Sequence, residues 1–318
     1  MEHQKIYLII VTYNAMKWAE RCFSSLRKSS VPVHTIVVDN GSIDGTQEFI
    51  TTHFQEVEFV QSAENLGFGK TNNLGMEMAY KNGADFFYLM NQDAWLFENS
   101  LEKLIKIYQN YPNKEDIGII SPMHLDGTEK NLDVHFERYL ARYTEFNRFL
   151  SDVFTNSQKP FYELNFINAA HWLLPKSTIE KIGGFNPYFF HGAEDYDYVN
   201  RAKYFGKKLL IATESKVVHD TVQSFHKKEP KNKEELLVQT RLSMKMQRET
   251  RYLDPHYDFN AKREKVEFYS NILKLNLKGK FDEAKFYKEQ YKYFAPKFEE
   301  IEEAREISKS GNHSFLNL

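Results

Sequence analysis

Five short stretches carry residues that could do chemistry. In MNQDAWL (90–96) a single carboxylate, Asp93, follows directly on the apolar run DFFYLM. In SKVVHD (215–220) an imidazole, His219, closes another apolar run. A strand-end Asp suits a tight turn or a helix start. It equally suits a metal ligand at the carboxyl ends of strands, where open α/β sheets bind ligands. A lone His is more often structural. One carboxylate and one imidazole, completed by phosphate oxygens, would suit Mn2+ or Mg2+ better than a structural zinc.

The stretch HGAEDYDYVNRAKYFG (191–206) holds Glu194, Asp195 and Asp197 at an expected helix start. There the helix dipole favours acids, and Arg201 could pair with one of them. The alternative is a general base within hydrogen-bond reach of a substrate hydroxyl. In VVDNGSIDGT (37–46) a buried strand runs into Asp39, with Asp44 close behind and Gly41 and Gly45 permitting tight turns. A carboxylate here could accept from the N3–H of a uracil or thymine; otherwise Asp44 caps the next helix and Asp39 only turns the chain. NLGFGKTNNLG (65–75) can bring backbone donors close to a ligand, but it is neither a GxGxxG nor a P-loop.

These residues need elements to position them. Continuous apolar runs at 6–11, 35–39, 57–60, 85–90 and 117–121 read as buried strands. Between them lie helical patterns: Trp18, Cys22 and Leu26 at spacing four, residues 46–54, a helix opened by NLGFGK and running to about Tyr80, and 100–108. Strands alternating with helices imply an α/β fold with a mainly parallel sheet. Residues 122–165 lose this rhythm and read as an insertion near the site, in which Arg138, Tyr139, Arg142 and Tyr143 would shape an acceptor site, the aromatics suiting a sugar ring, or else as a lid or packing loop. Regularity returns from 165 to 220. After a charged, Pro-containing linker around 228 the chain reads as helices, with Phe281, Ala284, Tyr287, Tyr291 and Phe294 at helical spacing. The expected division is 1–228 for the α/β domain and 229–318 for a helical extension.

Composition narrows the class. The chain has 318 residues, 42% hydrophobic and 15% aromatic, enough for a substantial core. The formal charge of −2 points to no nucleic acid. Cys22 is the only cysteine, so no disulfide forms within the chain. The opening MEHQKIYLIIVTYNA has too short an apolar run for a signal peptide or membrane span. The expectation is a cytoplasmic protein. The extension leaves three readings open: packing on the catalytic domain, a homodimer, or peripheral contact with the inner face of an anionic membrane.

The order IIVTYNA, VVDNGSIDGT, NLGFGKTNN, MNQDAWL, INAAHWLLPKS, IGGFNPYFFHGAEDYDYVNRA, VVHD resembles glycosyltransferase family 2, in its non-processive, rhamnosyltransferase-like branch. The resemblance covers about residues 5–225. It implies a GT-A fold, Rossmann-like with a mainly parallel central sheet flanked by helices. It implies that Thr12, Tyr13 and Asn14 line a nucleotide pocket. Asp39, with Ser42 and Asp44 nearby, would meet the base or ribose. Gly67, Phe68, Gly69 and Asn72 would cover the nucleotide. The family's Asp-x-Asp stands here as Asn91-Gln92-Asp93, so Asp93 carries the metal charge largely alone, while Asn91 and Gln92 face the nucleotide sugar. His219 would be the second metal ligand. Glu194 and Asp195 would supply the base, with Asp195 taking the proton. The Gln-x-x-Arg-Trp of processive synthases is absent.

The resemblance also implies an inverting transfer of one sugar. The donor would be a UDP- or dTDP-sugar and the cofactor a divalent metal, Mn2+ or Mg2+. The acceptor would be a saccharide or lipid-linked saccharide, in bacterial surface polysaccharide synthesis. Two other classes compete: a GT-A-like scaffold that binds carbohydrate or nucleotide without turnover, and a nucleotidyltransferase. The second would want a Gly-rich NTP loop near the N-terminus, which IIVTYNAMKW does not supply.

Overall fold

The computed structural model describes residues 4–143, 147–221 and 231–318, apart from the side chains of Tyr143 and Lys233. The chain forms two compact units, Met1–Lys227 with Gly311–Leu318, and Lys228–Ser310. The helical unit therefore ends at Ser310, and Gly311–Leu318 return to the first unit, although the sequence reading assigns them to the extension.

In the first unit the strands are β1 (Ile6–Thr12), β2 (His34–Asp39), β3 (Glu58–Gln61), β4 (Phe86–Asn91), β5 (Ala94–Leu96), β6 (Ile117–Leu125), β7 (Phe161–Leu164), β8 (His171–Pro175) and β9 (Lys208–His219). Its helices are α1 (Ala19–Leu26), α2 (Thr46–His53), α3 (Phe68–Lys81), α4 (Ser100–Asn110), α5 (Val134–Tyr143), α6 (Phe149–Phe154), α7 (Lys176–Ile182) and α8 (Glu194–Tyr204). Among the described residues these strands make one sheet, ordered β3-β2-β1-β4-β8-β6-β9-β5, with β7 also on β9.

The first four strands pair in parallel through helical crossovers, as the doubly buried apolar runs of β1, β2 and β4 require, with the more exposed β3 at the edge. Beyond β4 the sheet is mixed. β8 runs antiparallel to both β4 and β6, β6 and β9 are parallel, and β5 and β7 are antiparallel to β9. The helices cover both faces. Alternate residues divide between two cores: Ile9, Leu89 and Trp172 on one face, Leu8, Tyr88 and Leu173 on the other.

Two strands escape the sequence reading. β5 is only AWL, and β7 is FYEL inside the stretch read as an insertion. Neither is long enough to show a period of its own. Both take their structure from β9, a long strand whose residues Thr213–Ser215 have no partner on β6. Ser100, at the start of α4, holds this irregularity: its backbone oxygen accepts from Ser215 Oγ at 2.8 Å, and its own Oγ donates to Lys216 O at 2.5 Å.

The second unit comprises α9 (Lys233–Leu253), α10 (Ala261–Leu277), α11 (Phe281–Phe294) and α12 (Phe298–Ser310). It closes on a fully buried Tyr252, whose hydroxyl donates to Glu264 Oε2 at 2.5 Å. Arg305 donates to the backbone oxygens of Tyr252, Asp254 and Tyr257. Of the expected α11 stripe, Ala284 and Phe294 are buried whereas Phe281 is exposed. No helix among the described residues is long and apolar enough to cross a membrane.

The most buried charge pair in the first unit is Arg201 on Asp197, one turn apart on α8 at 2.8 Å, with both side chains fully inaccessible. Removing one partner of such a pair leaves an uncompensated buried charge. Arg201→Met is therefore expected to lower the unfolding free energy by about 3–5 kcal/mol in urea titration. A loss near zero would contradict the burial described.

Candidate active site

Strand register builds the centre of the site. β5 pairs with β9 so that Ala94 faces His219, and the Asp220 amide donates to Asp93 O at 2.8 Å. The side chains of Asp93 and His219, far apart in sequence, are thereby set side by side, with Asp93 Oδ1 3.6 Å from His219 Nε2. Asp93 is partly open to solvent and His219 is buried. Burial holds the imidazole below its ordinary value and so neutral, against the opposing pull of the Asp93 charge. Two donors at this separation fit one divalent ion with bonds of about 2.1 Å to each. Among the described residues no cluster of three or more His, Cys, Asp or Glu could hold a metal.

Asn91 Nδ2 lies 3.3 Å from His219 Nε2, while Asn91 Oδ1 and His219 Nδ1 are buried without partners. Such orphaned polar atoms mark a place where a ligand's bonds are missing. Behind His219 sit two further buried imidazoles, His124 and His171, with ring centroids 5.1 Å apart, and His124 is 6.2 Å from His219. Their tautomers follow from their partners. His171 Nε2 can only donate to Val218 O at 3.1 Å, so its Nδ1 accepts from the Tyr88 hydroxyl at 2.8 Å. Burial lowers His171 to about 3 and His124 well below its ordinary value, so the stack is uncharged. The sequence reading missed both histidines: His171 lies inside an apolar run, and His124 falls in the stretch read as an insertion.

A cleft of about 430 Å3 opens against these groups, walled by Tyr13, Asn40, Asn65, Gly67, Phe68, Asn91, Gln92, Asp93, Phe190 and His191. Gln92 continues the β1–β4 ladder with its side chain: its Oε1 accepts from Tyr13 N at 2.7 Å and its Nε2 donates to Tyr13 O at 3.2 Å. The Tyr13 side chain is left exposed at the rim. Gly67 has φ +83°, and a Cβ there would lie 2.2 Å from Phe190 O. Only glycine lets the start of α3 approach the 186–193 loop this closely. Asn40, also missed, accepts from Leu66 N at 3.1 Å and Thr71 Oγ1 at 2.7 Å, and so shapes the same turn.

Several expected site residues do not line the cleft. Asp39 is fully buried. Its oxygens accept from Thr12 Oγ1 (2.7 Å), Gly41 N (3.0 Å), and Ser42 N and Oγ (2.8 and 2.5 Å), with Gln47 at 3.5 Å. It organises the loop after β2 from within. Ser42 Oγ in turn accepts from Asn14 N at 2.8 Å, and Asn14 Oδ1 accepts from Ile43 N at 2.9 Å. Asp44 accepts from Met16 N, Thr46 N and Thr46 Oγ1. Desolvation pushes its carboxyl up, but these bonds outweigh it and hold it below the usual range. Asn72 donates to Phe68 O at 3.0 Å inside α3, and Gly69 packs against Phe185.

The three acids at the start of α8 separate cleanly. Asp197 belongs to Arg201. Glu194 is buried, and one of its oxygens has no partner. Burial pushes its carboxyl upward. Asp195 is partly exposed and accepts from Tyr196 N at 2.8 Å. Desolvation, then the Glu194 charge, pushes it up to about 7. The turn before them has Ala193 in the left-handed region at φ +76°. From the insertion, Tyr139 packs edge-on to Phe166, which stacks on Tyr196 at 3.9 Å. The stretch at 122–165 thus reaches the residue next to Asp195. Arg138 and Arg142 lie on the same helix, α5, and the Tyr143 side chain falls outside the described residues.

The raised Asp195 value has a consequence for stability. The folded chain holds this proton up to about pH 7, and an unfolded aspartate loses it near 3.8. Ionisation therefore costs the fold stability as pH rises through that window. Asp195→Asn removes the cost. The variant's melting temperature, relative to the unmutated chain, is expected to be higher at pH 8.5 than at pH 4; an offset independent of pH would contradict the shift.

Comparison with known proteins gives the family. The model for glycosyl transferase family 2 matches residues 7–172. The O-antigen chain rhamnosyltransferase WbaN of Salmonella anatum is 25% identical over 217 residues, 67% of this chain and 65% of that protein. This chain thus spans just under two thirds of that relative's length. The N-acetylglucosaminyl-diphospho-decaprenol L-rhamnosyltransferase of Mycobacterium tuberculosis is 22% identical over 241 residues, 68% of this chain and 76% of that protein. Among solved structures, GalNAc-T7 with UDP, GalNAc and Mn2+ shares the fold, with TM-score 0.50 and 14% identity, over 69% of this chain and 44% of that one. Sheet and family match agree: the chain belongs to glycosyl transferase family 2, in its rhamnosyltransferase-like part, and has the GT-A fold.

Proposed function

We propose that this chain is an inverting, metal-dependent glycosyltransferase. It would move one sugar from a UDP- or dTDP-sugar to a hydroxyl of a saccharide or lipid-linked saccharide, in bacterial surface polysaccharide synthesis. The observation that carries the reading is the β5–β9 register, which sets the buried His219 beside Asp93, a residue that lines the cleft. The names of the two curated relatives support a rhamnosyl-type donor, and the second supports an acceptor on a polyprenyl diphosphate. GalNAc-T7, solved with UDP and Mn2+, supports a nucleotide held together with that metal. A nucleotide-sugar donor implies a cytoplasmic setting.

In this reading Asp93 and His219 would hold the divalent ion, which would supply positive charge against a departing diphosphate. Tyr13, held by Gln92, offers its ring to the base. Asp39, Ser42 and Asn14 keep the pocket loop in shape, and Asp44 anchors it to α2. Gly67 and Phe68 close over the nucleotide, with Gly69 and Asn72 setting the start of α3. Asn91 orients His219. Asp195 takes the proton of the acceptor hydroxyl as its oxygen attacks the anomeric carbon and the bond to the diphosphate breaks. A base near pH 7 is matched to that task. Glu194 raises it by its charge. A single displacement inverts the carbon.

Four measurements test this. In a thermal-shift panel of UDP, dTDP, GDP and CMP with and without Mn2+, UDP or dTDP is expected to stabilise the chain with the metal present, and Asp93→Ala to abolish the metal-dependent part. Stabilisation by none would sink the proposal. Transfer is expected to fall about tenfold per pH unit below 7 and to level off above, because only ionised Asp195 accepts a proton. Asp195→Asn is expected to lose about 10²- to 10⁴-fold in rate. A product with retained configuration would overturn the single displacement.

A further inference from the structure

We infer that Gly311–Leu318 form a strap that positions the two walls of the cleft, the start of α3 and the 183–195 segment bearing Asp195, and that Asn73 is the residue through which it acts. The inference deepens the transferase reading and rests on it for the identity of the cleft. Asn73 sits on α3 and is buried. Its Oδ1 accepts from Phe185 N at 2.7 Å, and its Nδ2 donates to Phe185 O at 2.8 Å and to Phe315 O at 3.1 Å. One amide therefore joins a cleft helix, the segment leading to the base, and the strap.

The rest of the strap is fitted as closely. Gly184 N donates to Ser314 O at 2.9 Å. Gly183 has φ +81°, and a Cβ there would lie 1.9 Å from Ser314 O. On the helix side, Glu77 Oε1 accepts from Asn317 N at 2.9 Å and from its side-chain amide at 3.3 Å. Without the strap, Glu77 on α3 would lose both bonds, and Asn73 and Gly184 one each. These anchors lie directly behind the cleft. Phe185 packs against Phe68 and Gly69, and Phe190 O meets Phe68 N at 3.2 Å. Ordering at residues 183–185 thus reaches the Gly67 turn through two contacts.

Asn73 touches no cleft surface, so it is a positioning residue. The test uses the full chain, a variant lacking residues 311–318, and Asn317→Ala as a milder variant that keeps the chain whole. Hydrogen exchange is read at Gly184, Phe185 and the start of α3, with β1 and β2 as internal controls. The expected result is at least tenfold faster exchange at the former sites with the strands unchanged, a smaller effect in the same direction for Asn317→Ala, and recovery on adding the peptide GNHSFLNL. Dissociation constants for UDP and dTDP with Mn2+ should rise at least fivefold in the shortened chain and return with the peptide. Unchanged exchange at Gly184 and Phe185, or equal acceleration at all sites including the strands, would overturn the strap. Altered exchange without nucleotide binding in either full or shortened chain would count against the transferase reading and leave the strap standing.

Discussion

Everything at the site hangs on three residues of β5 finding their partners on β9. Ala94–Leu96 pair with Val217–His219 in one register. A slip of one residue would turn every side chain of β5 to the opposite face. It would carry Asp93 away from His219 and bury a carboxylate among apolar groups. The register is held from both ends. The Asp220 amide bonds to Asp93 O, and the irregularity at Thr213–Ser215 is tied to the first turn of α4 by Ser100. Asp220 also accepts from Trp18 Nε1 at 2.8 Å, which fixes the chain just past His219. The strands are weak by themselves. Their neighbours define where they lie.

The electrostatic design is one of withheld charge. Three imidazoles are kept neutral by burial, and Asp195 is kept partly protonated by desolvation and by Glu194. Elsewhere in the same unit, acids that must be ionised are saturated with donors, as Asp39 and Asp44 are. Asn91 Oδ1 and Glu194 Oε2, by contrast, are buried without a partner.

Much of this was legible in the sequence, for physical reasons. The runs IYLIIV, TIVVD and DFFYLM announce doubly buried strands, because a parallel sheet shows no alternation to hide them. Asp93 and His219 could be singled out because each ends such a run. The three acids at the start of α8, alike in the sequence, have different surroundings: Asp197 is paired with Arg201, whereas desolvation and the Glu194 charge push the Asp195 carboxyl up. Asp39 was legible as a strand-end acid, but its saturation by Thr12, Gly41 and Ser42 depends on a loop geometry that composition does not encode. β5 and β7 were invisible because strands of three and four residues carry no period. His171 was hidden because a polar residue inside an apolar run gives no sign of what faces it, and His124 because β6 runs on past the apolar stretch to Leu125. The return of Gly311–Leu318 to the first unit was unreadable for a plainer cause: the contacts that define it are made across the whole chain.

That return imposes an order of events on a growing chain. The sheet is complete once His219 has emerged, and from then Asp93 and His219 can meet. The amide of Asn73 must wait for Phe315, which follows the entire helical unit. At translation rates of roughly 5–20 residues per second, that delay is on the order of 10 s. The nascent protein thus passes through an interval in which Asp93 and His219 already lie side by side and the segments around them are not yet secured. The helical unit, whatever else it does, sets the length of that interval.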